Sequence, residues 1–360
     1  MNRIPTLDGW RGVAILLVLI DHAIWGITGA NPLGRVSQHG VAIFFVLSGY
    51  LITSRFCEEF DRTGKLDLGR FYARRFFRLM PAAWLYLAIV GVVLLSQGFF
   101  YTRRELLGSL LFFRNFIYNE GTSLTGHFWS LSLEEQFYLT WPAVLLFAGF
   151  KRARWIAGAA IVLLVAYRFS QRDTLLALPL WATFRTQFRA DGLLIGCLAA
   201  LLLPGLSRRF QPWMIWPLLL AFGFCLHRYD QIIPAGESLI IALLLHATTL
   251  FPQTIAARLL SWRALTFLGA ISYSLYLWQQ LFLLTRVTHP LDSLVPIALL
   301  FAIAILSHFY LELPLIRLGK NLSPSRASRC SSPRSSYSAT SPHRRTSRSS
   351  SPAIGEPPAR

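Results

Sequence analysis

The chain reads as an all-α polytopic transmembrane helix bundle of about ten helices, with a disordered C-terminal tail. Three observations predict it. Of its 360 residues 54% are hydrophobic and only 14% charged, and the mean hydropathy of +0.47 is too high for an ordinary soluble domain. Apolar runs of about spanning length recur throughout residues 1–322. Basic residues gather on alternate connections, 18 on one side of the predicted layer against 10 on the other. By the positive-inside rule the richer side, and with it both termini, is cytoplasmic. The runs are continuous rather than alternating, which excludes the strands of a β-barrel.

In chain order the runs are 13–28, 41–54, 82–98, 128–149, 155–169, 192–205, 213–227, 236–251, 265–285 and 294–313. The first passes straight into Asp21 and His22 without a small-residue cleavage site, so it is expected to be a retained span rather than a cleaved leader. The third is opened by Pro81, a residue suited to the first turn of a helix. Residues 105–117 are apolar but too short to cross, and are expected to form a re-entrant or interfacial helix. Cys57, Cys197, Cys225 and Cys330 have no CxxC spacing and read as small apolar residues, with neither a disulfide framework nor a zinc site implied.

The net charge of +18 is spread as topology anchors over the spans, which argues against a nucleic-acid surface. From Ser323 the composition changes abruptly, to 13 Ser, 7 Arg and 6 Pro among 38 residues. The division expected is a membrane domain over 1–322 and a disordered cytoplasmic tail over 323–360, able at most to touch anionic lipid headgroups.

Several constellations put polar chemistry where lipid would otherwise be. Arg11 and His22 are eleven residues apart, so on a helix they share one face and stand about 16 Å apart along the axis. Ionisable groups in a span usually face a bundle interior or a water-filled cavity, although a snorkelling arginine and a hydrogen-bonded core histidine are the plainer reading. In FYARRFFRLMPAAW, read as a cytoplasmic loop, Arg75 and Arg78 are three apart and suit a phosphate-bearing ligand through two planar forks. A topology signal with no ligand explains them too.

GHFWSLSLEEQFYLTWP carries His127, Trp129, Glu134, Glu135 and Gln136 into a span from the side opposite those arginines. Adjacent helical residues point about 100° apart, so one carboxylate, Glu135, is expected to face a polar cavity while the other pairs with a neighbour. Arg189 and Asp191 read as an ion pair at a helix end. Tyr273, Tyr276 and Gln279 line one side of a further span, as interhelical glue or as ligand contacts.

LDGWRGVAILLVLIDH (7–22), FFVLSGYLIT (44–53), FYARRFFRLMP (71–81), HFWSLSLEEQFYLTWP (127–142), RADGLLIG (189–196), ISYSLYLWQQ (271–280) and FYLELPLIR (309–317) together resemble the motifs of the acyltransferase-3 family. These are bacterial inner-membrane O-acyltransferases, including O-antigen and nodulation-factor acetylases, and the resemblance covers residues 4 to about 320. It implies that Arg11 and His22 are catalytic and that Arg75 and Arg78 engage an acyl-CoA donor, acetyl-CoA or a longer homologue, with no metal. Glu134 or Glu135 is the candidate to orient His22, and His127, Trp129, Tyr276 and Gln279 are candidates to hold the acceptor. Family members often carry a histidine where this chain has Gln279.

The acceptor implied is a hydroxyl of a glycan or lipid-linked saccharide, the other partners are membrane lipids, and no nucleic acid is involved. His22 would act as general base, since a neutral imidazole is suited to that near pH 7. The competing class is a transporter using the same buried charges as a proton or solute path, a class whose members often show inverted repeats. No internal similarity between the halves is visible here.

Overall fold

A computed structural model of the chain describes residues 4–30, 36–96, 103–117, 123–177, 180–227, 234–283 and 294–322. Every regular element among the described residues is helical. Helix α1 (Pro5–Thr28) begins on its proline, where the missing N–H breaks no helical bond. It stops at Gly29, whose φ of 66° lets its N–H reach back to the Trp25 carbonyl at 2.8 Å. α2 (Ser37–Thr63) ends in the same way at Gly64. α3 (Leu68–Ser96) is followed by the short α4 (Arg103–Leu110) and a 3-10 turn, Arg114–Phe116. The 105–117 segment predicted to be re-entrant or interfacial is therefore short and broken.

α5 (Phe128–Ser170) is long but interrupted at Gly149, φ 72°, into two helical halves that match the two predicted runs. Two short helices, α6 (Arg172–Ala177) and α7 (Thr186–Arg189), lead into α8 (Asp191–Leu206). Then come α9 (Ile215–His227), α10 (Pro234–Leu250), α11 (Ile255–Leu260), α12 (Arg263–Ala270) and α13 (Ser272–Leu283). Finally α14 (Leu294–Leu306) passes through a π-helical turn, Ser307–Glu312, into α15 (Leu313–Leu322). Among the described residues six stretches, against the ten runs read from the sequence, are long and apolar enough to cross a membrane: α1, α2, α3, α5, α8 and the α14–α15 run. α9 and α10 are shorter apolar helices. The protein is a multi-pass membrane helix bundle.

Helix packing relies on backbone approach. At the crossing of α2 and α8 a methyl group on Gly49 would stand 2.0 Å from the Leu193 carbonyl oxygen, and one on Gly196 would stand 2.2 Å from that of Val46. In lipid, where burying apolar surface gives no drive, such small-residue contacts supply much of the dispersion that joins helices. Large side chains such as Phe147, Leu220 and Phe224 point outward instead, as a lipid-facing surface requires.

Two buried arginines in the interior are paired with carboxylates. Arg168 on α5 meets Asp191 at the head of α8 at 2.8 Å, and Arg114 meets Glu105 at 2.8 Å. The predicted Arg189–Asp191 pair is thus replaced by Arg168–Asp191, while Arg189 donates to the Thr183 carbonyl at 3.3 Å. One helical turn brings Arg189 back over its own short connection, to Thr183, while α5 presents Arg168 to the start of α8.

Two boundaries also differ from the sequence reading. α3 begins at Leu68, thirteen residues before Pro81, so the arginine segment is helix and not loop. The run 265–285 is split between α12 and α13, with the break after Ala270. Residues 323–360, including Cys330, lie outside the described residues.

Candidate active site

α1, α2, α3, α5, α13 and the π turn enclose a cavity of about 880 Å³. Helical spacing brings four arginines of α3 around to the same space: Arg70, Arg74, Arg75 and Arg78 all line it, with Arg55 of α2, Arg11 of α1 and Lys320 of α15, and acids such as Glu58, Glu59 and Asp67 share the lining. The arginines differ in state. Arg75 donates to Glu135 at 2.8 Å, lies 4.0 Å from Glu134 and sits over the Tyr138 ring at 3.0 Å from its centre. Arg11 donates to Asp8 at 3.0 Å. No hydrogen bond or ion pair among the described residues engages the guanidiniums of Arg55 or Arg78, and both face the cavity.

Both carboxylates of the EE pair line this space. Glu135 is held by Arg75, and Glu134 accepts from the Ser48 hydroxyl at 3.1 Å. Residues predicted to enter from opposite sides therefore meet, since each lies well inside its own helix. Neither carboxylate bonds His22.

Ser130 and Tyr276 also line the cavity, with their hydroxyls 2.5 Å apart. One turn further along α13, about 4.5 Å, is Gln279, with none of its surface exposed. Its Oε1 lies 2.9 Å from Nδ1 of His22. The histidine of α1 thus does not line the cavity itself but contacts Gln279, one helical turn along α13 from the lining residue Tyr276.

The remaining predicted contacts, His127 and Trp129, are not among the residues that line the cavity. His127 is buried among Tyr86, Phe128 and Tyr276, with ring centroids 5.3, 4.9 and 5.7 Å away. Trp129 stacks on Phe184 at 4.1 Å and meets Phe45 edge-on.

Sequence reasoning missed Asp8, Ser48, Arg55 and Tyr138, and singled out no role for His308 or Glu312. The π turn places these last two on the cavity wall, with His308 Nδ1 3.2 Å from Glu312, and Glu312 also accepts from the Ser274 hydroxyl. Asp8 was legible as an acid three residues before Arg11, and Glu312 as an acid inside an apolar motif.

The arrangement combines arginines with no ion-pair partner among the described residues, suited to anionic oxygens, with a half-buried imidazole in the same bundle. The acyltransferase domain family matches residues 4–312, and the chain belongs to that acyltransferase-3 family. Among its relatives is YrhL of Bacillus subtilis (strain 168), provisionally named a peptidoglycan O-acetyltransferase. It is 34% identical over 308 residues, covering 76% of this chain and 48% of the relative. The O-acetyltransferase OatA of Staphylococcus aureus (strain NCTC 8325 / PS 47) is 30% identical over 312 residues, covering 76% of this chain and 50% of the relative. The chain spans about half the length of these curated relatives. No solved structure matches it.

Proposed function

We propose that the chain is an integral-membrane O-acyltransferase that moves an acyl group, acetyl in the first instance, from acyl-CoA to a hydroxyl of a cell-surface glycan such as peptidoglycan or of a lipid-linked saccharide. The observation that carries this reading is the cavity itself. Its lining offers Arg78 and Arg55 to the phosphates of a nucleotide-bearing donor, and it includes Tyr276, one helical turn from the Gln279 that contacts His22. A long flexible thioester arm suits that shape better than a compact solute does.

In this reading the basic end opens to the cytoplasm, where acyl-CoA is made, both termini lie there, and the membrane is the bacterial inner membrane. His22 Nε2 takes the proton from the acceptor hydroxyl while that oxygen bonds the thioester carbonyl carbon. The carbon–sulfur bond then breaks, and the thiolate of CoA takes the proton back from His22. Arg11 stays charged beside Asp8 and lines the donor path, and Tyr276 and Ser130 supply hydroxyls where the thioester would sit.

The test is turnover of radiolabelled acetyl-CoA by the purified chain in proteoliposomes supplied with glycan fragments, together with mass spectrometry of surface glycans from cells with and without it. Label appearing on glycan and an acyl mass lost with the gene support the reading. Purified protein that neither binds acyl-CoA nor transfers label overturns it.

A further inference from the structure

We propose that Gln279 is a positioning residue that fixes the tautomer of His22, holding the ring proton on Nδ1 and leaving Nε2 free to accept one. The kinetic part of this inference rests on His22 being the base of the reaction above; the tautomer itself does not.

A side-chain amide has one end that only accepts and one that only donates, and its surroundings decide which end points where. Gln279 Nε2 donates to the main-chain carbonyl of Tyr276 at 3.2 Å. Turning the amide over would set two oxygens against each other there. Oε1 is therefore the atom 2.9 Å from His22 Nδ1. Having no hydrogen, it accepts, so the single proton of the neutral imidazole resides on Nδ1. The helix around Gln279 is packed solid, with Leu275 and Leu277 wholly buried, which keeps the amide in this pose.

An amide partner differs from an ionisable one in what it does next. Oε1 cannot take the Nδ1 proton away, so a proton gained at Nε2 stays on the ring until a leaving group collects it from the same nitrogen. No carboxylate shares that proton: Glu134 and Glu135 are bonded to Ser48 and Arg75. The ionisable neighbours of the ring are Asp21, next in sequence, and His127 at the start of α5. Neither is hydrogen-bonded to it.

The direct test is ¹⁵N spectroscopy of the full chain in lipid with labelled histidine, the His22 signals being assigned by their loss in His22→Gln. The expected spectrum shows a protonated Nδ1 and a bare Nε2. A protonated Nε2 overturns the proposal whatever the enzyme's activity, and needs no variant at position 279.

The kinetic test compares Gln279→Leu, which removes the acceptor, with Gln279→His, whose ring keeps one accepting nitrogen and one N–H donor. Gln279→Leu should lower kcat roughly 10²-fold, within the range of general-base effects, with KM for acyl-CoA unchanged, and Gln279→His should restore most of it. Equal activity of folded wild type and Gln279→Leu, with the tautomer altered in the variant, overturns the role of His22 as base and leaves the tautomer assignment standing. Equal loss in the leucine and histidine variants overturns positioning.

Discussion

The Arg75 guanidinium lies 3.0 Å from the centre of the Tyr138 ring, and Glu135 holds it there at 2.8 Å. Arg78, three residues along the same helix face, has neither contact. The two arginines that look alike in the sequence thus have different work: one ties α3 to α5, and the other is available to a ligand.

Arg78→Ala should raise the KM for acyl-CoA about tenfold or more, equivalent to about 1.4 kcal/mol per decade, while leaving the detergent melting temperature unchanged. Arg78→Lys should restore only part of it, because a point charge lacks the planar fork. Arg75→Ala should instead destabilise the bundle by roughly 1.5–3 kcal/mol, the value of hydrogen bonds to a charged group. Donor titrations and thermal melts of both variants separate the two; identical behaviour of the pair would show that the contacts of Arg75 do not matter.

His22→Ala should abolish acyl transfer, by roughly 10²- to 10⁴-fold for loss of a general base, while the chain inserts at normal abundance. The ring is only half-buried, so little packing is lost with it. Transfer assayed beside an immunoblot of the membrane fraction checks this, and near-normal transfer sinks the mechanism.

Gly196→Val should prevent stable packing of α8 on α2, since even its first carbon would stand 2.2 Å from the Val46 carbonyl oxygen. Gly223→Ala meets nothing within 4 Å and should be neutral or stabilising by about 0.5–1 kcal/mol. Comparing the monodisperse yield and melting temperature of the two in detergent isolates the close approach from helix propensity.

Deleting residues 323–360 should leave acetyl-CoA turnover nearly intact, because that Ser/Arg/Pro segment has no apolar periodicity with which to build a core. A truncated chain that inserts fully yet transfers nothing would move part of the donor site into its seven arginines.

Among the described residues each of the six helices long enough to cross falls on a predicted apolar run, because lipid imposes hydropathy, yet the 265–285 run is broken in two and the start of α3 was misplaced. The turns carrying Arg70, Arg74, Arg75 and Arg78 are polar because they line a cavity, and a polar helix looks like a loop to any measure of transfer into lipid. For the same reason Glu135 and Arg75 were assigned to opposite sides: their meeting depends on how far each helix extends past its apolar run. The pairing of Asp191 with Arg168 needed the third dimension outright, since nothing in the local pattern points 23 residues back along the chain. The bond between His22 and Gln279 spans 257 positions. Its two ends stood out as polar residues in spans, but not as partners.

The π turn at Ser307–Glu312 sets the rotational phase of everything after it. An α-helix advances about 100° per residue, so removing one residue here, the simplest way to convert the turn to regular helix, would swing α15 by about that angle about its own axis. Ile316 and Lys320, now on the cavity wall, would leave it together. In this part of the chain length is therefore as tightly constrained as residue identity: a substitution would alter one contact, whereas a single-codon deletion would re-index a whole wall of the cavity.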